Sequence, residues 1–262
     1  MKNINYSDFT YGINQPYFLP YIGYFSLINE TERWIVFDEV QYVKQSWGNR
    51  NRILKHPEGL SWINIPIKKP SRGTLYSQIE IRNNIEWKDK LIRQFEYYKM
   101  HAPYYKVVIQ LFEEIIEPDF DYLVDLNIHA MVKICEYLNI SFNYVRYSEL
   151  KLNISEVKSP GDWPLQICKK LDIKSYMNPY MGHFMFVDKD WDNANIKLQF
   201  IKNKNIKYFQ KRKDFEEKLS IMDVLMWNSV EEVHKLMKSD ICDKDELIKL
   251  INKREPDLSD KY

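Results

Sequence analysis

The first forty residues alternate between extended and helical patterns. Residues 11–14 form a short extended run that ends at Gln15-Pro16. Residues 19–28 then place their apolar side chains at helical spacing, and Pro20 suits a first helical turn. Residues 34–37 return to an extended apolar run, stopped by Asp38-Glu39. Strand, proline-containing turn, helix and strand in that order predict a βαβ unit and so a parallel sheet. Further on, residues 60–67, 78–81, 140–147, 175–177 and 196–200 read as strands, and 87–98, 105–116, 121–138 and 163–171 as helices. Residues 47–52 read as a polar loop. Near the C-terminus, 220–227, 230–238 and 244–252 read as helices and 255–262 as a polar tail. The expected fold is α/β: a Rossmann-like, mostly parallel sheet flanked by helices over residues 1–210. A helical C-terminal part, 211–262, belongs to the same compact unit.

Composition narrows the class. A chain of 262 residues, 45% apolar and 29% charged, buries a real hydrophobic interior. No run nears the roughly 18 apolar residues of a membrane span. The opening MKNINYSDFTYG has no apolar stretch or cleavage site of a signal peptide, so a cytoplasmic protein without membrane insertion is expected. Cys135, Cys168 and Cys242 lack metal-ligand or redox spacing and read as free thiols of a reducing compartment. The net charge of +1 argues against binding dominated by nucleic-acid electrostatics. The aromatic content of 15%, with 19 tyrosines, suits pockets for sugars or bases, or else plain core filling.

Candidate chemistry concentrates between Gln15 and Lys69. Gln15 ends a strand, where ligands bind in open α/β sheets, and its amide both donates and accepts. Asp38 ends the second strand and is a candidate general base, metal ligand or cation partner; helix capping or a structural ion pair is the alternative. Gln41, Tyr42 and Lys44 follow closely, and Lys44 suits a phosphate or carboxylate. Asn49, Arg50, Asn51 and Arg52 form the densest polar cluster, fit for bidentate recognition of phosphate or carbonyl groups, with Trp47 beside them to stack on a ring. A solvated basic loop is the plainer reading. Lys68 and Lys69 add positive charge. His129 and His183 lack a second ligand at metal spacing, so no metal site is expected; either is a structural residue or a general base. His56, His101 and His234 read as surface or loop residues. No Walker A loop, G-x-G-x-x-G or G-x-S-x-G motif occurs, and the common acyl-CoA enzymes usually carry a glycine-rich pyrophosphate loop.

Three segments carry a resemblance. They are Ile13-Asn14-Gln15-Pro16-Tyr17-Phe18-Leu19-Pro20-Tyr21-Ile22-Gly23-Tyr24-Phe25, then Phe37-Asp38-Glu39-Val40-Gln41-Tyr42-Val43-Lys44, then Trp47-Gly48-Asn49-Arg50-Asn51-Arg52-Ile53. Together they closely resemble the WbqC-like family. Asp125-Leu126-Asn127, Asn178-Pro179 and Ser220-Ile221-Met222-Asp223-Val224-Leu225-Met226-Trp227-Asn228 extend the resemblance over nearly the whole chain. Asn14 stands where the motif usually has a histidine, and the glycines after Asn178 are reduced to Gly182.

The resemblance implies a bacterial gene cluster for surface polysaccharide, especially O-antigen of lipopolysaccharide. It implies transfer of a glycyl or related acyl group onto the amino group of a nucleotide-linked amino sugar. On that reading Asp38 is base or orienter, helped by His183. Gln15, Asn49 and Asn51 hold the acyl carbonyl or sugar, and Arg50, Arg52 and Lys44 the phosphates. Trp47 or Tyr42 stacks on sugar or uracil, and Tyr17 and Gln41 complete the substrate-binding set. The donor stays open among acyl-CoA, a carrier thioester, an aminoacyl-tRNA (the one nucleic acid in view) and, less favoured, a free amino acid with ATP. The C-terminal helices are candidates for an oligomer interface. Two other readings stand beside this one: an ATP-dependent ligase or nucleotidyltransferase, and a non-catalytic sugar-nucleotide-binding scaffold.

Overall fold

Side chains alternate across a strand, so a sheet buried on both faces needs apolar residues at consecutive positions. The first two strands meet that need. In β1, Thr10–Asn14, residues Tyr11 and Ile13 face one side. In β2, Arg33–Val36, residue Ile35 joins that side, while Trp34 and Val36 face the other. The computed structural model describes residues 6–55, 58–154, 157–204 and 206–254. The predicted tail at 255–262 and His56 lie outside them.

The helices are α1 Ile22–Asn29, α2 Lys88–Arg93, α3 Glu96–Lys99, α4 Tyr105–Ile116, α5 Leu123–Leu138, α6 Tyr147–Leu150, α7 Asp162–Leu171, α8 Asp188–Asn193, α9 Ile221–Trp227, α10 Val230–Met237 and α11 Lys244–Arg254. The remaining strands are β3 Arg50–Leu54, β4 Leu60–Asn64, β5 Tyr144–Arg146, β6 Ser175–Pro179, β7 Lys197–Asn203 and β8 Ser239–Cys242. Six strands form one sheet in the order β5-β2-β1-β6-β7-β8, and every pairing is parallel except β7 with β8. Strands β3 and β4 form a separate antiparallel pair.

Helices cover both faces, which makes the Rossmann-like α/β layering. One core gathers α1, α4, α5, α9 and α10 with the β3–β4 hairpin; the other gathers α7 and α8 with the first turn of α11. Strand β6 sends Tyr176 to one core and Met177 to the other, and β7 does the same with Phe200 and Ile201. A Cβ at Gly12 would lie 2.4 Å from the Trp34 ring, so glycine there lets the indole cross β1. No helix among the described residues is long and apolar enough to cross a membrane.

Several elements depart from the sequence reading. The polar stretch 47–52 is half strand: Arg50, Asn51 and Arg52 open β3. Asn51 points inward and is buried, which breaks the apolar alternation by which strands are recognised. The helix read over 87–98 is two short ones, interrupted at Gln94-Phe95. The strand read over 78–81 is no strand: Gln78 ends a 3-10 turn, Tyr76–Gln78, and Glu80 and Ile81 make isolated bridges. The C-terminal part also contains a strand, β8, which pairs antiparallel with β7.

Candidate functional site

Strand β1 lies inside the sheet. Its neighbour β2 continues the chain one way, and β6 begins the other side. Ligands of open α/β sheets bind outside the carboxyl ends of strands where the order reverses. A cleft of about 560 Å³ lies there. The end of β1 supplies Asn14 and Gln15, the end of β6 supplies Asn178, and Tyr17, Phe37 and Trp163 add ring surface. Phe37 and Trp163 lie 5.3 Å apart, and Lys158 is the charged side chain of the lining.

The loop from Gln15 to Pro20 is fastened at its carbonyls. Tyr24 Oη donates to Gln15 O at 2.6 Å. Tyr76 Oη and Asn127 Nδ2 reach Pro16 O at 2.5 and 2.7 Å. Asn51 Nδ2 reaches Phe18 O at 3.1 Å and Leu19 O at 2.7 Å. Ser220 Oγ donates to Leu19 O at 2.9 Å, and Ile221 N–H to Pro20 O at 2.9 Å. Leu19 is held at φ +45°, a conformation that costs a non-glycine residue free energy and persists because these bonds impose it. The side-chain amides of Asn14 and Gln15, by contrast, have no hydrogen-bond partner among the described residues and stand half-buried in the cleft. Helix α1 then begins at Ile22 without a side-chain cap.

The expected site residues separate into three groups. Gln15 and Tyr17 line the cleft. His183 stands beside it on the 3-10 turn Tyr180–Met185, whose Met185 is part of the lining. Its Nδ1 lies 2.8 Å from Tyr180 O. A carbonyl only accepts, so Nδ1 carries the proton, and Nε2 of the neutral ring keeps its lone pair.

A second group supports the fold. Asp38 is fully buried, and its carboxylate accepts from Ser148 N at 3.0 Å and Ser148 Oγ at 2.7 Å at the start of α6. A carboxylate without exposure does not meet a substrate amine, so its position fits capping rather than proton abstraction. Asn51 holds the β1–α1 loop, and Asn49 bridges Tyr42 Oη at 2.7 Å and Ile65 O at 2.8 Å. These bonds occupy Tyr42, Asn49 and Asn51 within the protein.

The third group is outside the cleft. Gln41 and Lys44 are exposed and absent from its lining. Trp47 and Trp62 stack 5.6 Å apart, with the Arg50 guanidinium 4.2 Å over Trp62 and that of Arg52 5.5 Å over Trp47. This ladder lies on the β3–β4 hairpin, where Arg52 pairs across from Trp62.

Asn14, Phe37, Lys158 and Trp163 were not singled out from the sequence. Asn14 and Phe37 sit at strand ends, so the rule that selected Gln15 and Asp38 reaches them. Lys158 and Trp163 precede β6 by more than ten residues in the chain, and only the sheet order brings them in. The three cysteines are free and buried, and burial pushes the Cys135 thiol up to about 12. No group of three or more His, Cys, Asp or Glu side chains among the described residues could hold a metal ion.

The sequence profile of the WbqC-like protein family matches residues 15–235. The uncharacterized protein Rv1507c of Mycobacterium tuberculosis (strain ATCC 25618 / H37Rv) is 26% identical over 215 residues, covering 81% of this chain and 91% of that protein. No solved structure matches the chain.

Proposed function

The chain belongs to the WbqC-like protein family, and from that premise we propose an enzyme of surface-polysaccharide (O-antigen) synthesis that transfers an acyl or aminoacyl group to the amino group of a nucleotide-linked amino sugar. The observation that carries the reading is the cleft at the sheet's switch point, where the amides of Asn14 and Gln15, without a hydrogen-bond partner among the described residues, share a lining with the rings of Tyr17, Phe37 and Trp163. Amides that donate and accept match sugar hydroxyls and an amide product, and ring faces match the C–H face of a pyranose.

The chemistry asks little of the protein. The sugar amine attacks the acyl carbonyl, a C–N bond forms, and the donor's thiol or alcohol leaves. The amine loses one proton, which His183 Nε2, beside the cleft, takes as base and passes to the leaving group. Gln15 is placed to donate to the carbonyl oxygen as negative charge builds on it. Asp38 acts at one remove, by holding α6 against the end of β2.

The test is a purified assay with UDP- and dTDP-linked amino sugars and a panel of acyl and aminoacyl donors, product read by mass. His183→Ala should lower kcat by about a hundredfold or more, and Gln15→Ala should lower kcat/KM about 10–100-fold, with melting temperatures unchanged. Turnover that requires ATP and magnesium would replace this reading with a ligase. Tight sugar-nucleotide binding with no product from any donor would replace it with a scaffold.

A further inference from the structure

A second hollow, of about 320 Å³, opens on the other side of Pro179 and Tyr180 from the amide cleft. Its interior is apolar and aromatic, with Tyr208 and Phe215 edge to face at 5.2 Å. Its rim carries Lys202, Lys204, Lys207 and Lys218 against a single carboxylate, Glu217. Asp240 answers Lys204 at 3.0 Å. Lys202 lies 5.1 Å over the Tyr180 ring, and Lys202, Lys207 and Lys218 have no ion pair among the described residues. The whole chain is nearly neutral, at +1, so this excess of cations is local. Concave low-dielectric walls lined by one sign of charge focus the field and concentrate ions of the other sign.

We infer that this hollow binds the diphosphate of a nucleoside diphosphate, with the nucleoside against its aromatic interior. Three lysines without an ion pair among the described residues are point charges suited to phosphate oxygens. The volume is near the lower end of small-molecule sites, of order 300–1,000 Å³. Position adds to the argument. Tyr17 and Asn178 line the cleft, and Tyr21, Pro179 and Tyr180 line this hollow, so the same two chain segments form the wall between them. A nucleotide-linked sugar would lie across that wall, diphosphate among the lysines and sugar among the amides. The inference rests on the transferase reading for the sugar end only.

Calorimetric titration of the full chain with UDP, inorganic pyrophosphate and farnesyl diphosphate tests it. UDP should bind, more tightly than pyrophosphate, and added salt should weaken it. The double substitution Lys207→Glu and Lys218→Glu, on exposed positions, should weaken UDP at least about tenfold, while Lys106→Glu on α4 should not. Equal UDP affinity in the double variant, no binding of UDP, or binding of farnesyl diphosphate in its place overturns the inference. The two readings part in the transfer assay: UDP binding through the lysines with no acyl product leaves this one standing alone. Acyl transfer by a protein whose UDP affinity ignores the lysines leaves only the other.

Discussion

Two neighbouring kinds of amide do opposite work in this protein. Asn14 and Gln15 line the cleft with amides that have no partner among the described residues, whereas Asn51 and Asn127 spend theirs on backbone carbonyls. A buried carbonyl deprived of its donor costs about 1–3 kcal/mol. Asn51→Leu keeps the volume but strands Phe18 O, leaves Leu19 O with Ser220 Oγ alone, and removes the acceptor at Asn51 Oδ1 that serves Arg52 N–H at 2.8 Å. It should therefore lower unfolding free energy by about 2–5 kcal/mol in urea titration. A loss under 0.5 kcal/mol would show that water replaces the amide and that the loop is not held as described. From sequence alone the four amides look alike. Strand-end position singled out Gln15, which lines the cleft, but nothing local to Asn49 or Asn51 says that their partners are Ile65 O and the residues before α1.

At the scale of elements, α9 shows what the C-terminal motif is for. Ser220 caps the helix through Met222 N and also reaches Leu19 O. Asp223, on the same helix, is buried and accepts from Tyr98 Oη, from Tyr208 Oη at 2.6 Å and from Gln210 Nε2 at 3.3 Å. Burial outweighs these hydrogen bonds and pushes its carboxyl from 3.8 up to about 6. The folded state thus holds a proton that the unfolded chain releases near pH 4. Stability from Asp223 is present below about pH 4 and lost as pH rises through 6, by about 3 kcal/mol. Denaturant titrations of Asp223→Asn between pH 4 and 6 should show that slope gone; a slope equal to that of the parent would place the titration elsewhere. Legibility follows the same division by element. β1, α1 and β2 were readable because each is an apolar run closed by a turn signal, Gln15-Pro16 after β1 and Asp38-Glu39 after β2, and they follow one another. β3 was not, because Arg50 and Arg52 face out while a polar Asn51 faces in. β8, Ser-Asp-Ile-Cys at 239–242, is too short and polar to show a period and exists through pairing with β7.

The molecule as a whole is a parallel sheet finished by an antiparallel strand. β8 covers the side of β7 that would otherwise present unpaired backbone groups, and β7 carries Phe200 and Ile201 into both cores. A chain truncated before Ser239 should keep the cleft residues but expose that edge. Having lost α11 with β8, it should elute from size-exclusion columns as soluble aggregate that keeps the other helices; a monomer of unchanged melting temperature would make both elements dispensable. The sheet order also explains why half of the candidate site was hidden. Gln15 and Tyr17 lie in one contiguous segment, but Trp163, Asn178 and the lysines at 202–218 arrive through β6 and β7 from the far side of the switch point.

The tethered loop has a consequence for how the protein can diversify. Its five anchored carbonyls take their donors from α1, α5, β3, α9 and the turn at Tyr76, so the backbone beneath Gln15 and Tyr17 is common property of five segments. An exchange there is answered by misfit in distant parts of the chain. The opposite bank of the cleft, at Lys158 and Trp163, carries no such shared obligation to that loop. Selection for a different ligand, in nature or in a directed library, would therefore find its productive substitutions on that bank, and the bank bearing Gln15 would stay as the fixed half of the lock.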